Sequence, residues 1–199
     1  MVAVPKRVAL FAGSFDPIHI GHMALANYVV AEDYADELWF MPTPGNPLKK
    51  GTLLPYNLRC RMIEELLPAD WPGQLCRIEA ALPAPHYTVH TLHSLQQLYP
   101  TTRFYLLIGA DNYATWQQWY QYDRIEKLCR LLVYPRKGFS LPAEKTFGSF
   151  FFLHKAPLLE VSSTTLREAL IAGKDLRMWL PNPKRYSELK QYVAQTQRR

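Results

Sequence analysis

Short apolar runs alternate with segments of helical periodicity along the whole chain. Residues 7–12 (RVALFA), ended by Gly13-Ser14, suit a strand buried on both faces. Helical spacing follows from about Ile20 to Glu32, ELWFMP at 37–42 is again strand-like, and a Pro- and Gly-rich loop then runs from Pro42 to Pro55. That loop is too long for an ordinary connector, and long loops commonly carry function; whether it closes over a substrate is left open. Helical periodicity returns at 56–67, strand character at 75–80, a helix at about 88–98 and a strong strand, RFYLLIG, at 103–109. CRLLVY (129–134) and SFFFL (149–153) add two candidate strands. Near the end Leu166, Ala169 and Leu170 define one helix face, and Gly173 stands where a C′ glycine ends such a helix. The alternation predicts an α/β protein: a Rossmann-like, doubly wound parallel sheet with helices on both faces. Ligands of such sheets bind outside the carboxyl ends of the strands.

With 199 residues, 48% apolar and 13% aromatic, the chain can bury one substantial core. No linker or composition shift divides it, so a single domain over 1–199 is expected, its part from about residue 160 a helical extension. The three cysteines, Cys60, Cys76 and Cys129, are widely spaced without a CxxC pair, which suits a reducing cytoplasm. No apolar run is long enough for a signal segment or a bilayer span, so no membrane association is expected. The net charge of +6 raises the question of nucleic acid. The basic residues are dispersed, however, and a small anionic substrate explains the sign equally well, so no nucleic-acid partner is expected.

Candidate chemistry concentrates at the first strand end, GSFDPIHIGH. Gly13 permits a tight turn and a close backbone approach to a ligand. His19 and His22, three apart at a helix start, project to the same side of its first turn, where free N–H groups and the dipole already favour anions. Two imidazoles there can donate to phosphate oxygens, and Gly21 keeps the surface between them low. A lone histidine at such a place more often satisfies local backbone. No third ligand recurs nearby, so no metal site is expected. Asp16-Pro17 reads first as a turn initiator.

A second phosphate site is suggested by VSSTTLR at 161–167. Thr165 and Glu168 have capping-box spacing, so the hydroxyls taken alone serve equally well as an N-cap. Arg167, about 100° around the helix from Leu166, could reach a phosphate held at the same helix end.

The first segment resembles the (G)-x-F-D-P-x-H-x-G-H signature of the HxGH nucleotidyltransferase superfamily, with Ser14 where threonine is common. The second resembles that superfamily's I-S-S-T-x-x-R motif, with Val161 for isoleucine. These resemblances imply the nucleotidyltransferase fold, with ATP held by Gly13, Ser14, Phe15, His19, Gly21 and His22. They also imply that Ser162, Ser163 or Thr164, with Arg167, holds the β- and γ-phosphates.

The middle of the chain resembles nicotinate mononucleotide adenylyltransferase. MPTPGNPLKK is similar to that family's P-x-x-x-P-P-H-K loop, with Leu48 in the histidine position, and implies a catalytic role for Lys49; without the family Lys49 is equally a solvated loop lysine. HYTVHTL is similar to S-Y-T-x-x-T-L and implies that Tyr87 and Thr88 lie beside the pyridine ring, although Thr88 alone reads as an N-cap. In IGADNYATWQQWYQYDRI, Gly109 and Asp111 end the strongest strand, where a carboxylate can accept from ribose hydroxyls. Trp119 and Tyr120 align with the family's W-Y/H pair, the indole stacking on the ring; Trp116, one turn earlier, reads as core.

The expected reaction is attack by the mononucleotide phosphate on the α-phosphorus of ATP, with Mg²⁺ arriving on the nucleotide and pyrophosphate leaving. His19, His22, Lys49 and Arg167 would neutralise the shifting charge. The enzymatic alternatives are transfer to nicotinamide mononucleotide or to phosphopantetheine, or CMP transfer. A different class is an inactive, basic nucleic-acid-binding protein of the same fold. A homo-oligomer is compatible with all of these.

Overall fold

The computed structural model describes residues 5–45 and 54–196. Its strands are β1 (Arg7–Gly13), β2 (Glu37–Pro42), β3 (Gly73–Leu75), β4 (Arg103–Gly109), β5 (Arg130–Tyr134), β6 (Thr146–Phe147) and β7 (Phe150–Phe152). The helices are α1 (Ile20–Ala31), α2 (Tyr56–Glu64), α3 (Ile78–Ala81), α4 (Thr88–Leu98), α5 (Ala110–Ala114), α6 (Tyr122–Leu128), α7 (Ser163–Ile171) and α8 (Tyr186–Thr196). The sheet order is β3-β2-β1-β4-β5-β7-β6, parallel except for the β6–β7 pair. Strand order reverses between β1 and β4, so their carboxyl ends open a crevice there.

Alternation along each strand divides the core in two. Ala9 and Phe11 of β1, Leu38 and Phe40 of β2 and Leu107 of β4 pack with Leu25 and Val29 of α1, Ile63 of α2, Leu166 of α7 and Leu189 of α8. Val8, Leu10, Trp39, Met41 and Leu106 face the other way, against Leu92 and Leu95 of α4 and Ile125 of α6. Both faces are therefore covered, which is why the strands read as continuous apolar runs.

Three expectations are corrected. The strand expected at 75–80 lies earlier and is short: β3 pairs with β2 only from Gly73 to Leu75, after which the chain leaves the sheet edge and turns into α3 at Ile78. The α7 N-cap is Ser162, whose Oγ accepts from Thr165 N–H at 3.0 Å, so Thr165 sits inside the helix rather than capping it. Likewise Tyr87 is the N-cap residue of α4 and Thr88 its first helical residue. The three cysteines are free and buried. Among the described residues no helix is long and apolar enough to cross a membrane.

Candidate active site

The turn after β1 is built around Phe15 rather than Gly13. Phe15 has φ +45 and a ring almost wholly buried, in edge contact with Phe11, Phe40 and His22. A side chain at Gly13 would meet that ring at 3.2 Å, so the glycine makes room for Phe15. Asp16, 3% exposed, accepts from Leu54 N–H at 3.0 Å, which ties the end of the long loop to the first motif. Arg59 of α2 is fully buried; its Nη1 donates to Ser14 O (2.5 Å) and Thr43 O (3.0 Å), and its Nε to Leu54 O (3.1 Å). One guanidinium thus joins the turn after β1 to both described ends of the long loop. Its sequence position gave no hint of this, since an arginine in a helical segment ordinarily reads as solvated. Lys49 lies outside the described residues.

His19 caps α1 and His22 is three residues into it, and their rings stack with centroids 3.7 Å apart. His22 Nδ1 accepts from His19 N–H at 3.2 Å, so the neutral ring carries its proton on Nε2, free to donate outward. His19 Nδ1 is buried without a partner, and a side chain at Gly21 would stand 3.0 Å from it. Gly21 therefore accommodates the His19 ring. Burial, with the nearby positive charge of Arg136, lowers His19 to about 4. His22, partly open to the crevice but ringed by protein atoms, is pushed well below the usual histidine range by burial first, then by His19 and Arg136. Both rings are neutral at pH 7 before a ligand enters. Neutral rings offer N–H donors to a ligand rather than positive charge.

The two distant motifs meet. Arg167 Nη1 donates to Asp16 O at 2.8 Å and lies 3.8 Å from the Asp16 carboxylate. Ser163 Oγ donates to Pro17 O at 2.9 Å. That bond commits the Ser163 proton, and Ser162 is occupied as the cap. Thr164 Oγ1 accepts from Arg167 Nη2 at 3.2 Å and keeps its own O–H, which makes it the hydroxyl best placed to donate to a phosphate.

Arg136, which the sequence reading missed, closes the crevice. It lines a hollow with His19, Gly21, His22, Tyr134 and Leu159, and its Nε is 3.6 Å from Asp111 Oδ1. That oxygen is buried without a hydrogen bond, and a side chain at Gly109 would collide with it. The hollow measures about 40 Å³, far below the roughly 300 Å³ of a typical ligand site. Arg136 and Leu159 stand on the rim that narrows it. The signal for Arg136 was its place two residues beyond the end of β5, at the ligand edge of the sheet.

On the other side of the crevice, Tyr87 and Tyr120 stack face to face at 4.3 Å. Trp119 is half-buried and Tyr120 exposed, whereas Trp116 is buried and donates through Nε1 to Glu126 at 2.7 Å, as befits core. Glu79 is buried, and desolvation raises its carboxyl pKa. Its Oε2, with His86 Nδ1 and Thr91 Oγ1, has no partner, which leaves polar atoms beside Tyr87 and Thr88 unspent. Among the described residues no set of three or more His, Cys, Asp or Glu could hold a metal ion.

The cytidylyltransferase-like family model matches residues 10–169. The chain is 47% identical over 175 residues to a protein of Porphyromonas gingivalis named "Probable nicotinate-nucleotide adenylyltransferase", covering 87% of this chain and 89% of that one. A protein of the same name from Bacteroides thetaiotaomicron is 44% identical over 192 residues, 96% and 94% of the two chains. Among solved structures, the nicotinic acid mononucleotide adenylyltransferase of Plasmodium falciparum complexed with NaAD superposes with a TM-score of 0.74 at 17% identity, covering 96% of each chain. That likeness extends the fold over nearly the whole length.

Proposed function

The chain belongs to the cytidylyltransferase-like family, and on that premise we propose that it transfers the AMP moiety of ATP to nicotinate mononucleotide. The products are nicotinate adenine dinucleotide and pyrophosphate, a step of NAD biosynthesis in the cytoplasm. The observation that carries this reading is the bond from Arg167 to the Asp16 carbonyl, which brings the serine-threonine motif of α7 onto the histidine turn after β1. The relatives' shared name supports the acceptor.

The mononucleotide phosphate is ionised at neutral pH, so no general base is needed. Its oxygen attacks the α-phosphorus of ATP while the bond to the bridging oxygen breaks and pyrophosphate leaves. His22 Nε2–H, Thr164 O–H and the guanidinium of Arg167 are aimed where charge accumulates on the leaving group, and Arg136 supplies a further cation. Lys49 is assigned to the same task. Asp111, with its unspent oxygen, takes a ribose hydroxyl, and Trp119 with Tyr87 and Thr88 takes the pyridine ring. Mg²⁺ arriving with the nucleotide would supply charge neutralisation on the triphosphate, and this chain would hold it only through the nucleotide.

The test is pyrophosphate release from ATP with nicotinate mononucleotide, nicotinamide mononucleotide and phosphopantetheine offered separately. Release fastest with nicotinate mononucleotide is expected. Turnover with phosphopantetheine alone, or with none of them, overturns the assignment.

A further inference from the structure

A second hollow lies apart from the crevice that holds the histidine turn. Between α4 and α6 lies a groove of about 410 Å³, a volume within the range of small-ligand sites. Val89 and Leu128 form its apolar floor, and His90, His93, Arg124 and Lys127 line its walls. No carboxylate lines it; Asp123, in the first turn of α6, is not among its walls.

This concentration of positive charge is uncompensated. Arg7, Arg77, Arg177 and Arg185 each sit against carboxylates. Among the described residues neither Arg124 nor Lys127 does, although they stand three apart on one helix, where like charges repel. Arg124 Nη1 donates to the Gln121 side chain at 3.2 Å, which fixes the guanidinium and leaves its other N–H groups unused. The Gln97 amide donates to His93 Nε2 at 3.2 Å, which places that ring's proton on Nδ1. Two cations and imidazole donors around an apolar floor form a receptor for a phosphate group attached to a small organic body.

The groove also touches the acceptor side. His90 packs edge-on against Tyr87 (5.9 Å) and Tyr120 (6.0 Å), the two rings that stack beside Trp119.

We propose that the α4–α6 groove is a second anion site, outside the catalytic crevice, for a small phosphate-bearing molecule. Its occupancy fixes His90 and through it the Tyr87–Tyr120 pair. This second half rests on the function proposed above; the binding itself does not. Two probes separate the sources of the phosphate, glycerol 3-phosphate for an organic monoester and inorganic phosphate for the free anion.

Binding is read from the C2 proton resonances of the histidines, assigned with the His90→Gln and His93→Gln variants. Movement of His90 and His93 on titration with at least one probe is expected. Arg124→Gln combined with Lys127→Gln should weaken that response tenfold or more, the scale of losing charge-assisted bonds, at unchanged melting temperature and basal turnover. Still resonances at His90 and His93, or equal movement in the double variant, overturn the site. The coupling is tested separately. The bound probe should change KM for nicotinate mononucleotide in the parent and not in the double variant; an unchanged KM in a parent whose His90 and His93 respond overturns the coupling and leaves the site standing. No pyrophosphate release with any acceptor, beside responsive histidines, would sink the enzymatic reading alone.

Discussion

Arg59→Met tests the idea that one buried guanidinium organises the ligand edge of the sheet. Methionine keeps the unbranched stem and removes the charge, so no buried ion is left behind. What it leaves are the three carbonyls the arginine serves. Leu54 O is buried in the protein, and losing its bond to a charged donor should cost about 2 kcal/mol. Ser14 O and Thr43 O lie at partly buried loop ends, where water can replace part of what is lost, at about 1 kcal/mol each. The total, about 4 kcal/mol, is a large share of the stability of a domain this size. At roughly 2–4 °C per kcal/mol it lowers Tm by about 10 °C. Urea unfolding measures the loss directly, with an unchanged slope confirming that the folded state is intact. Arg59→Lys, whose ammonium cannot reach all three oxygens, should fall between. A loss below about 1 kcal/mol in Arg59→Met would refute the reasoning, because it would mean the carbonyls find other partners at no cost.

Four further outcomes are expected. His22→Ala should reduce turnover by on the order of a hundredfold with the fold intact, and normal pyrophosphate release would remove it from the site. Trp119→Ala should raise KM for the mononucleotide; an effect confined to ATP would misplace the acceptor. In Gly21→Ala the new methyl stands 3.0 Å from His19 Nδ1, so the ring must shift and turnover should fall by roughly tenfold with Tm little changed, while full activity would show the ring position to be unimportant. Because His19 titrates near 4 when folded and near 6.5 when unfolded, protons favour the unfolded chain as pH falls between those values. His19 alone should leave stability flat above about pH 7 and lower it by up to about 3 kcal/mol toward pH 4, the buried His22 adds a loss of the same sign, and His19→Gln should make the decline in chemical-denaturation profiles shallower without abolishing it.

The apolar runs at 7–12, 37–42 and 103–109 disclosed the central strands because a parallel sheet buried on both faces leaves little choice of residue. That the histidine turn and the serine-threonine helix belong together was suggested by their motifs, and the bonds from Arg167 to Asp16 O and from Ser163 to Pro17 O bring them into contact. Arg59 and Arg136 were not legible. Their partners are backbone carbonyls and an aspartate far away in sequence, and a carbonyl is carried by every residue alike. β3 and α3 were blurred together because three residues of strand leave no periodicity to read. The neutral state of the histidines follows from their burial and from the nearby charge of Arg136, which only the folded chain defines.

The bond from Arg167 to Asp16 spans 151 residues, and its consequence reaches back to synthesis. A ribosome completes the histidine turn well before it reaches α7 and Arg167. On the function proposed above, a chain cut before α7 would lack the means to engage the leaving pyrophosphate, and competence would require α7 to dock onto the turn after β1.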